Sequence, residues 1–266
     1  MKKIISLLFI LTVGLVLNSC NKDNEKTIKV VATEKPHSEI LEEARKYLEE
    51  KGYKLEIEVI TKYALGNPAV ENGSADANFF QHLPYFNEQN TKGNLVNIGG
   101  VHIEPIGLYG GTLDDINKLK KGDKIIISDN APDYGRIVLF LKNIGLVTTI
   151  DGFDPETEIS NPENAIASKT VDFSFEIISA DLLVTAQKNK EGAFFFINGN
   201  YALTGGLSLN DALVKEPTNN NPYVNIIVVK KGNENLDKII ALKEVLQSKE
   251  IKDFITKKYA GSVIPA

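Results

Sequence analysis

The stretch Thr27 to Ile60, TIKVVATEKPHSEILEEARKYLEEKGYKLEIEVI, decides the fold. Thr27 to Ala32 is a β-branched run suited to a buried parallel strand. Ser38 to Lys51 then repeats Ile40, Leu41, Ala44, Tyr47 and Leu48 on one helical face, and Gly52 stops the helix. Lys54 to Ile60 places Leu55, Ile57 and Val59 on one side and charges on the other, a second strand that closes a right-handed βαβ unit. Strand, helix, strand in this order predicts an α/β fold with helices flanking the sheet.

Downstream, the alternation continues. Helical signals resume near Asn67 to Asn72, Ala77 to Phe80 is short and apolar, and Leu95 to Tyr109 reads as one or two extended segments. A second α/β unit opens at Lys124: strand Ile125 to Ile127, a loop of turn formers from Ser128 to Gly135, and an apolar helix from Arg136 to Asn143 ended by Gly145. Phe173 to Ile178 and Ala193 to Ile197 read as strands around a helix near Ala180 to Lys188. Val224 to Val229 is strongly β-branched, and Leu236 to Gln247 with Ile251 to Lys258 form terminal helices. Asn161 to Asn164 and Glu216 to Asn221 are polar, proline-bearing breaks that read as exposed loops. The pattern predicts two α/β halves of about 100 residues each, with a cleft where strands of both halves end.

Upstream, Met1 to Cys20 (MKKIISLLFILTVGLVLNSC) has the pattern of a lipoprotein signal. Lys2 and Lys3 form a positive start, Ile4 to Leu17 is apolar, and Leu17-Asn18-Ser19-Cys20 has the form of a lipobox, so residues 1–19 are expected to be removed and Cys20 lipidated. About 14 apolar residues fall short of the ~20 that span hydrocarbon, and a plain secretory signal leaves the single cysteine unexplained. Residues 20–26 then read as a lipidated tether, which places the body of the protein outside the cytoplasm and on an envelope membrane. With the leader's two lysines set aside, 28 basic groups face 35 acidic ones, a net charge of −7. No basic patch suits nucleic acid, and without a second cysteine no internal disulfide forms.

Chemistry is concentrated in few places. Only two arginines stand among 28 lysines. Arg45 lies in a helix among Glu42, Glu43, Glu49 and Glu50 and reads as structural. Arg136 opens a helix after a strand-to-helix loop, where its planar fork takes either a ligand carboxylate or a neighbouring Asp133 or Asp129. Asn78-Phe79-Phe80-Gln81-His82 joins aromatic surface to directional polar groups, as a small-molecule pocket requires, although alternation keeps Phe79 and Phe80 off the same face. Ile197-Asn198-Gly199-Asn200-Tyr201-Ala202 reads first as a tight turn. His37, His82 and His102, with Glu104 nearby, raise a zinc or manganese alternative but lack HxxxH or HExxH spacing. No nucleophile elbow, Walker loop or Rossmann loop is present, so neither an enzyme nor a cofactor-binding protein is expected.

Lys35-Pro36-His37-Ser38, Asn78-Phe79-Phe80-Gln81-His82-Leu83-Pro84-Tyr85, Val101-His102-Ile103-Glu104-Pro105, Ile197-Asn198-Gly199-Asn200-Tyr201-Ala202 and Pro222-Tyr223-Val224-Asn225 together resemble the methionine-binding lipoproteins of the NlpA family, over nearly all of the chain from about Ile28. The resemblance implies a two-lobed type II periplasmic-binding-protein fold, α/β with mixed sheets flanked by helices. It also implies a monomeric substrate-binding lipoprotein of an ABC importer, delivering methionine or a related small amino acid to a permease. Lobe one would span residues 27–108 with 224–266, and lobe two residues 109–223. Carried over by motif, Arg136 would bind the ligand carboxylate, Asn200 and Asn225 its carboxylate and amino group, and Tyr63, Phe80, His82 and His102 would line the side-chain pocket. The chain departs from the family pattern in two places: Asn130-Ala131-Pro132-Asp133-Tyr134-Gly135 replaces a threonine and asparagine before the glycine, and Ala180-Asp181-Leu182-Leu183-Val184 replaces a Q-L-P-R-like stretch. A metal-binding lipoprotein, and a surface lipoprotein or adhesin with a vestigial cleft, are the alternatives.

Overall fold

The computed structural model describes residues 26–157, 159–219 and 221–266, so the leader, Cys20 and residues 20–25 of the tether lie outside the described residues. Its strands are β1 (Thr27–Thr33), β2 (Lys54–Ile60), β3 (Ala77–His82), β4 (Leu95–Ile103), β5 (Gly107–Gly110), β6 (Lys124–Ser128), β7 (Val147–Thr149), β8 (Ile166–Lys169), β9 (Ser174–Ile178), β10 (Phe194–Ile197), β11 (Val214–Lys215), β12 (Val224–Lys230) and β13 (Ile264–Pro265). The helices that matter here are α1 (Glu39–Glu50), α2 (Gly66–Glu71), α3 (Leu83–Gln89), α4 (Tyr134–Asn143), α5 (Leu183–Lys188), α6 (Gly199–Thr204), α7 (Asp237–Leu246) and α8 (Lys249–Tyr259).

A six-stranded mixed sheet has the order β13-β4-β12-β3-β1-β2, and a five-stranded mixed sheet the order β11-β5-β10-β6-β9. The opening βαβ unit forms as read: β1 and β2 are parallel, with Thr27 opposite Lys54 and Thr33 opposite Ile60. β2 ends the sheet, so Val59 is half exposed whereas Leu55 is buried. Strand alternation divides the apolar residues of each sheet. Val30, Ala32 and Phe79 pack under α1, α7 and α8, while Val31 and Phe80 pack on the opposite face with Val70, Tyr85 and Phe86. In the second sheet Ile125, Ile127, Phe194 and Phe196 meet α4, and Ile126, Phe195 and Ile197 meet α5 and Ala202 of α6. Removing one of the fully buried phenylalanine rings costs about 3–5 kcal/mol, because these cores have little room to collapse.

Several local expectations change. Helix α3 stands where the sequence reading has no element, started by Pro84 in its first turn and by the His82 ring, which accepts the Tyr85 N–H at 3.1 Å. Asn198 to Ala202 is not a tight turn: the strand β10 runs straight into α6, with Asn198 at its N-cap. Asn161 to Asn164 begins a 3-10 turn over Pro162–Ala165. Glu216, read as part of an exposed loop, turns its carboxylate inward to a buried ion pair. An arginine already inside the protein needs that countercharge.

The chain leaves the six-stranded sheet through residues 104–106 and returns through residues 216–223. These crossings pair: the Glu216 N–H donates to the Ile106 carbonyl at 3.0 Å, and Glu216 Oε2 accepts the Ile106 N–H at 3.2 Å. The space between the sheets, beside this junction, is where the side chains singled out by the sequence meet.

Candidate functional site

A cavity with about 390 Å³ of atom-free space, part of it open to solvent, lies between the two sheets. Its wall combines Tyr63, Phe80, Gln81, His82 and Tyr85 from the six-stranded side with Asn130, Arg136, Asn198, Gly199 and Asn200 from the five-stranded side; His37, Glu104, Tyr223 and Asn225 close it near the crossings. α6 follows β10 after Asn198 alone and α4 follows β6 through residues 129–133, and first-turn residues of both, Arg136 of α4 and Gly199 and Asn200 of α6, line this space.

Arg136 stands in the first turn of α4 and is 4 % exposed. Its Nε donates to Glu216 Oε1 at 2.6 Å and Nη2 to Glu216 Oε2, a paired contact, while Nη2 also donates to the Glu104 carbonyl at 2.8 Å. Nη1 lies 3.5 Å from Asp133 Oδ1, and the guanidinium rests 4.2 Å over the Tyr223 ring. Burial works against its charge, but Glu216 and Asp133 hold the group well above its ordinary range. The two sequence alternatives are therefore not exclusive: the side chain lines the cavity and also pairs with an acid. Asp133 is one partner, Glu216 the closer one, and Asp129 instead accepts the Ala180 N–H.

Asp133 is fully buried and organises the floor. It accepts from Asn130 Nδ2 and Asn198 Nδ2, each at 2.6 Å, and its Oδ1 is 3.2 Å from His82 Nε2. Burial alone would raise this carboxyl, yet His82, Arg136 and Asn130 hold it well below the usual range. Because His82 Nδ1 accepts the Tyr85 N–H, its proton is on Nε2, facing Asp133.

The same accounting settles two amides. Asn200 Oδ1 accepts the Tyr63 hydroxyl at 2.6 Å, and Asn225 Oδ1 faces His37 Nε2 at 3.0 Å. Each therefore presents its NH₂ group as the remaining donor.

His37, His102 and Glu104 form a buried cluster whose ligating atoms all lie within 4.8 Å of one another, so the fold brings together two of the three histidines of the metal alternative and leaves His82 with Asp133. His102 Nε2 is 2.8 Å and His37 Nε2 3.3 Å from Glu104 Oε1. Both Nε2 atoms face oxygen acceptors and so carry the protons; His37 Nδ1 takes the Thr33 hydroxyl at 2.7 Å. Burial drives His37 down to about 4, with Glu104 opposing, and His102 down to about 3, leaving both rings neutral. Burial pushes the Glu104 carboxyl up, opposed by His37, His82 and Arg136. With the Nε2–H of both rings directed at oxygen acceptors, a metal in this cluster would require His37 and His102 to give up their Nε2 protons. His102 is not in the cavity wall; it stands one layer behind, opposite Asn225 on the neighbouring strand.

Arg136, Asn200, Asn225, Tyr63, Phe80 and His82 thus converge on one cavity. The sequence reading did not include Gln81, Tyr85, Asn130, Asn198, Glu104, Asp133, Glu216 and Tyr223 among the site residues. Several of these lie inside the strings already quoted, but only the fold distinguishes wall from support.

Two mixed α/β sheets joined by paired crossings, with a polar and aromatic cavity between them, define the class: the two-lobed periplasmic-binding-protein fold. A family model described as NlpA lipoprotein matches residues 28–266, and the chain belongs to that family. It is 41% identical to the methionine-binding lipoprotein MetQ of Bacillus subtilis (strain 168), over 100% of this chain and 99% of the relative. A nutrient binding protein from Burkholderia cenocepacia, solved bound to methionine, superposes with a TM-score of 0.83 at 27% identity, covering 90% of this chain and 99% of that one. An ABC transporter periplasmic substrate-binding protein from Coxiella burnetii superposes with a TM-score of 0.81 at 29% identity, covering 90% and 100%. Among the described residues no helix is long and apolar enough to cross a membrane.

Proposed function

We propose that this chain captures methionine, as either enantiomer, or a closely related small amino acid, and delivers it to an ABC permease of the cytoplasmic membrane. The observation that carries the reading is the cavity itself. It sets a buried guanidinium and two NH₂ groups beside aromatic rings, the combination that a carboxylate and a thioether each need once water is excluded. The relatives named above, one of them solved with methionine, support it.

In this reading Arg136, Asn200 and Asn225 hold the polar end of the ligand. Nη1 of Arg136 makes its contact, because Glu216 occupies the Nε and Nη2 edge. Tyr63, Phe80, His82 and Tyr85 enclose the side chain, and Tyr63 lies 6.0 Å from Phe80 in a stacked arrangement. The two lobes, expected from the sequence as 27–108 with 224–266 and as 109–223, move as two bodies about the crossings, with Gly107 and Leu108 going with the second body because β5 pairs with β10 and β11. Ligand favours the closed form because it contacts both at once. Cys20 carries the lipid that keeps the monomeric protein outside the cytoplasm, beside its permease. A metal-binding role would have to displace the Nε2 protons that His102 directs at Glu104 and His37 at Asn225.

Calorimetric titration of the full-length protein in detergent with L- and D-methionine tests the reading. Micromolar or tighter binding of at least one enantiomer is expected, weakened at least roughly 30-fold in Arg136→Ala. No heat with either enantiomer or with other amino acids would refute it, and binding unaffected by Arg136→Ala would favour a cleft without a transport role.

A further inference from the structure

Apart from the crossings, the two sides of the cleft also grip each other directly. Residues 61–63 follow β2 of the six-stranded sheet, and Asn200 and Tyr201 stand in the first turn of α6, which follows β10 of the five-stranded sheet. The Tyr63 hydroxyl donates to Asn200 Oδ1 at 2.6 Å, and in return the Tyr201 hydroxyl donates to the Thr61 carbonyl at 3.0 Å. The two tyrosine rings lie 5.2 Å apart. Further along α6, Leu203 packs against the core that lies under α1, α7 and α8. One helix of the five-stranded side is therefore held to the six-stranded side by two reciprocal hydrogen bonds, a ring contact and an apolar anchor.

These contacts stand at the mouth of the cavity. Tyr63, Tyr85 and Asn130 line both the cavity and an outer hollow between the lobes, whose wall also includes the exposed Lys62, Asp129 and Asp181. Tyr201 lines the outer hollow and is not in the cavity wall. A molecule leaving through this hollow passes the Tyr63 ring, which Asn200 holds by its hydroxyl and Tyr201 supports by its ring. Parting the lobes breaks both hydrogen bonds and the ring contact together, and that cost is set by protein groups whatever the ligand is. Ligand contacts then add to a closed form that these groups already support.

We propose, resting on the function above, that Tyr201 sets the rate of ligand release without touching the ligand. Together with Tyr63 it latches residues 61–63 to the first turn of α6, so bound ligand escapes only as fast as this latch opens.

Stopped-flow mixing of the full-length protein in detergent with a series of methionine concentrations, using the enantiomer that binds more tightly, gives association and release rates for wild type, Tyr201→Phe and Tyr201→Ala. Tyrosine fluorescence reports binding, since Tyr63, Tyr85 and Tyr223 line the cavity in every variant. Tyr201→Phe removes one hydroxyl and leaves the Thr61 carbonyl to water, so release speeds up about threefold. Tyr201→Ala removes the ring contact as well, and release speeds up roughly tenfold or more. Association in both variants stays within about twofold of wild type or becomes faster, because a residue that only holds the cleft shut does not shape the cavity that the ligand enters. Release from both variants at the wild-type rate, or an affinity loss that comes from slower association, overturns the proposal. Should circular dichroism show that Tyr201→Ala does not fold, Tyr201→Phe decides alone, since it keeps the ring in place. Wild-type release rates in variants that bind methionine sink this inference and leave the functional reading standing. Wild type that binds no amino acid sinks both.

Discussion

Acid should destabilise this protein from an unusually high pH, and the cause is two imidazoles held neutral in the core. His37 is 1 % exposed and His102 fully buried, with ring protonation driven down to about 4 and about 3. In the unfolded chain both titrate near 6.5. The folded values are depressed, so the stability they contribute is complete above about pH 6.5 and is lost as pH falls towards 4 and 3. At pH 5 the unfolded state has gained a proton on each ring that the folded state refuses, which costs about 2 kcal/mol per histidine. Glu104 acts with the opposite sign: a carboxyl raised by burial takes up its proton earlier in the folded state, so acidification in the same window offsets part of the loss. The net drop between pH 7 and pH 5 is then up to about 4 kcal/mol, a large share of a typical domain's stability. Because the chain has no tryptophan, urea unfolding is followed by far-UV circular dichroism. Replacing His102 with glutamine should reduce the drop by about 2 kcal/mol. Equal stability of wild type at the two pH values, within about 0.5 kcal/mol, or a full drop retained in His102→Gln, would refute the reasoning.

Two further outcomes follow from packing and from the leader. A methyl group at Gly66 would meet Phe80 Cε1 at 2.1 Å, so Gly66→Ala drives that ring towards the cavity; a stability loss of about 1–3 kcal/mol and weaker methionine binding are expected, and calorimetry showing wild-type affinity would count against Phe80 as a wall of the pocket. Cys20→Ser should leave the protein without a lipid and move it from the detergent phase to the aqueous phase on phase separation, whereas retention in detergent would remove Cys20 as the anchor.

Much of the architecture is legible along the chain because each element announces itself locally. The alternation in Lys54 to Ile60, the apolar face of Ile40, Leu41, Ala44 and Leu48, and the β-branched run at Val224 to Val229 all require only nearest-neighbour geometry to interpret. Helix α3 escapes this reading because part of its start signal is an imidazole at the N-cap, a group that looks like a ligand-binding residue in the sequence. Asn198 and Asn200 look like a turn for a similar reason: asparagines around a glycine suit a turn and a helix start equally, and packing of Ala202 with Ile197 and the α5 residues selects the helix.

For the site, the sequence alone determined which residue types were available: two arginines, three histidines, and the strings that carry the family resemblance. Tertiary structure decided what each one does. Arg136 and Glu216 are 80 positions apart, His37 and Asn225 are 188 apart, and Tyr63 and Asn200 are 137 apart. A hydrogen-bonding group has only as many partners as its lone pairs and protons allow, and those partners come from strands and crossings remote in the chain. Which acid neutralises Arg136, which imidazole nitrogen carries its proton and which histidine stands behind the wall are therefore consequences of the two sheets meeting, and no local pattern contains them.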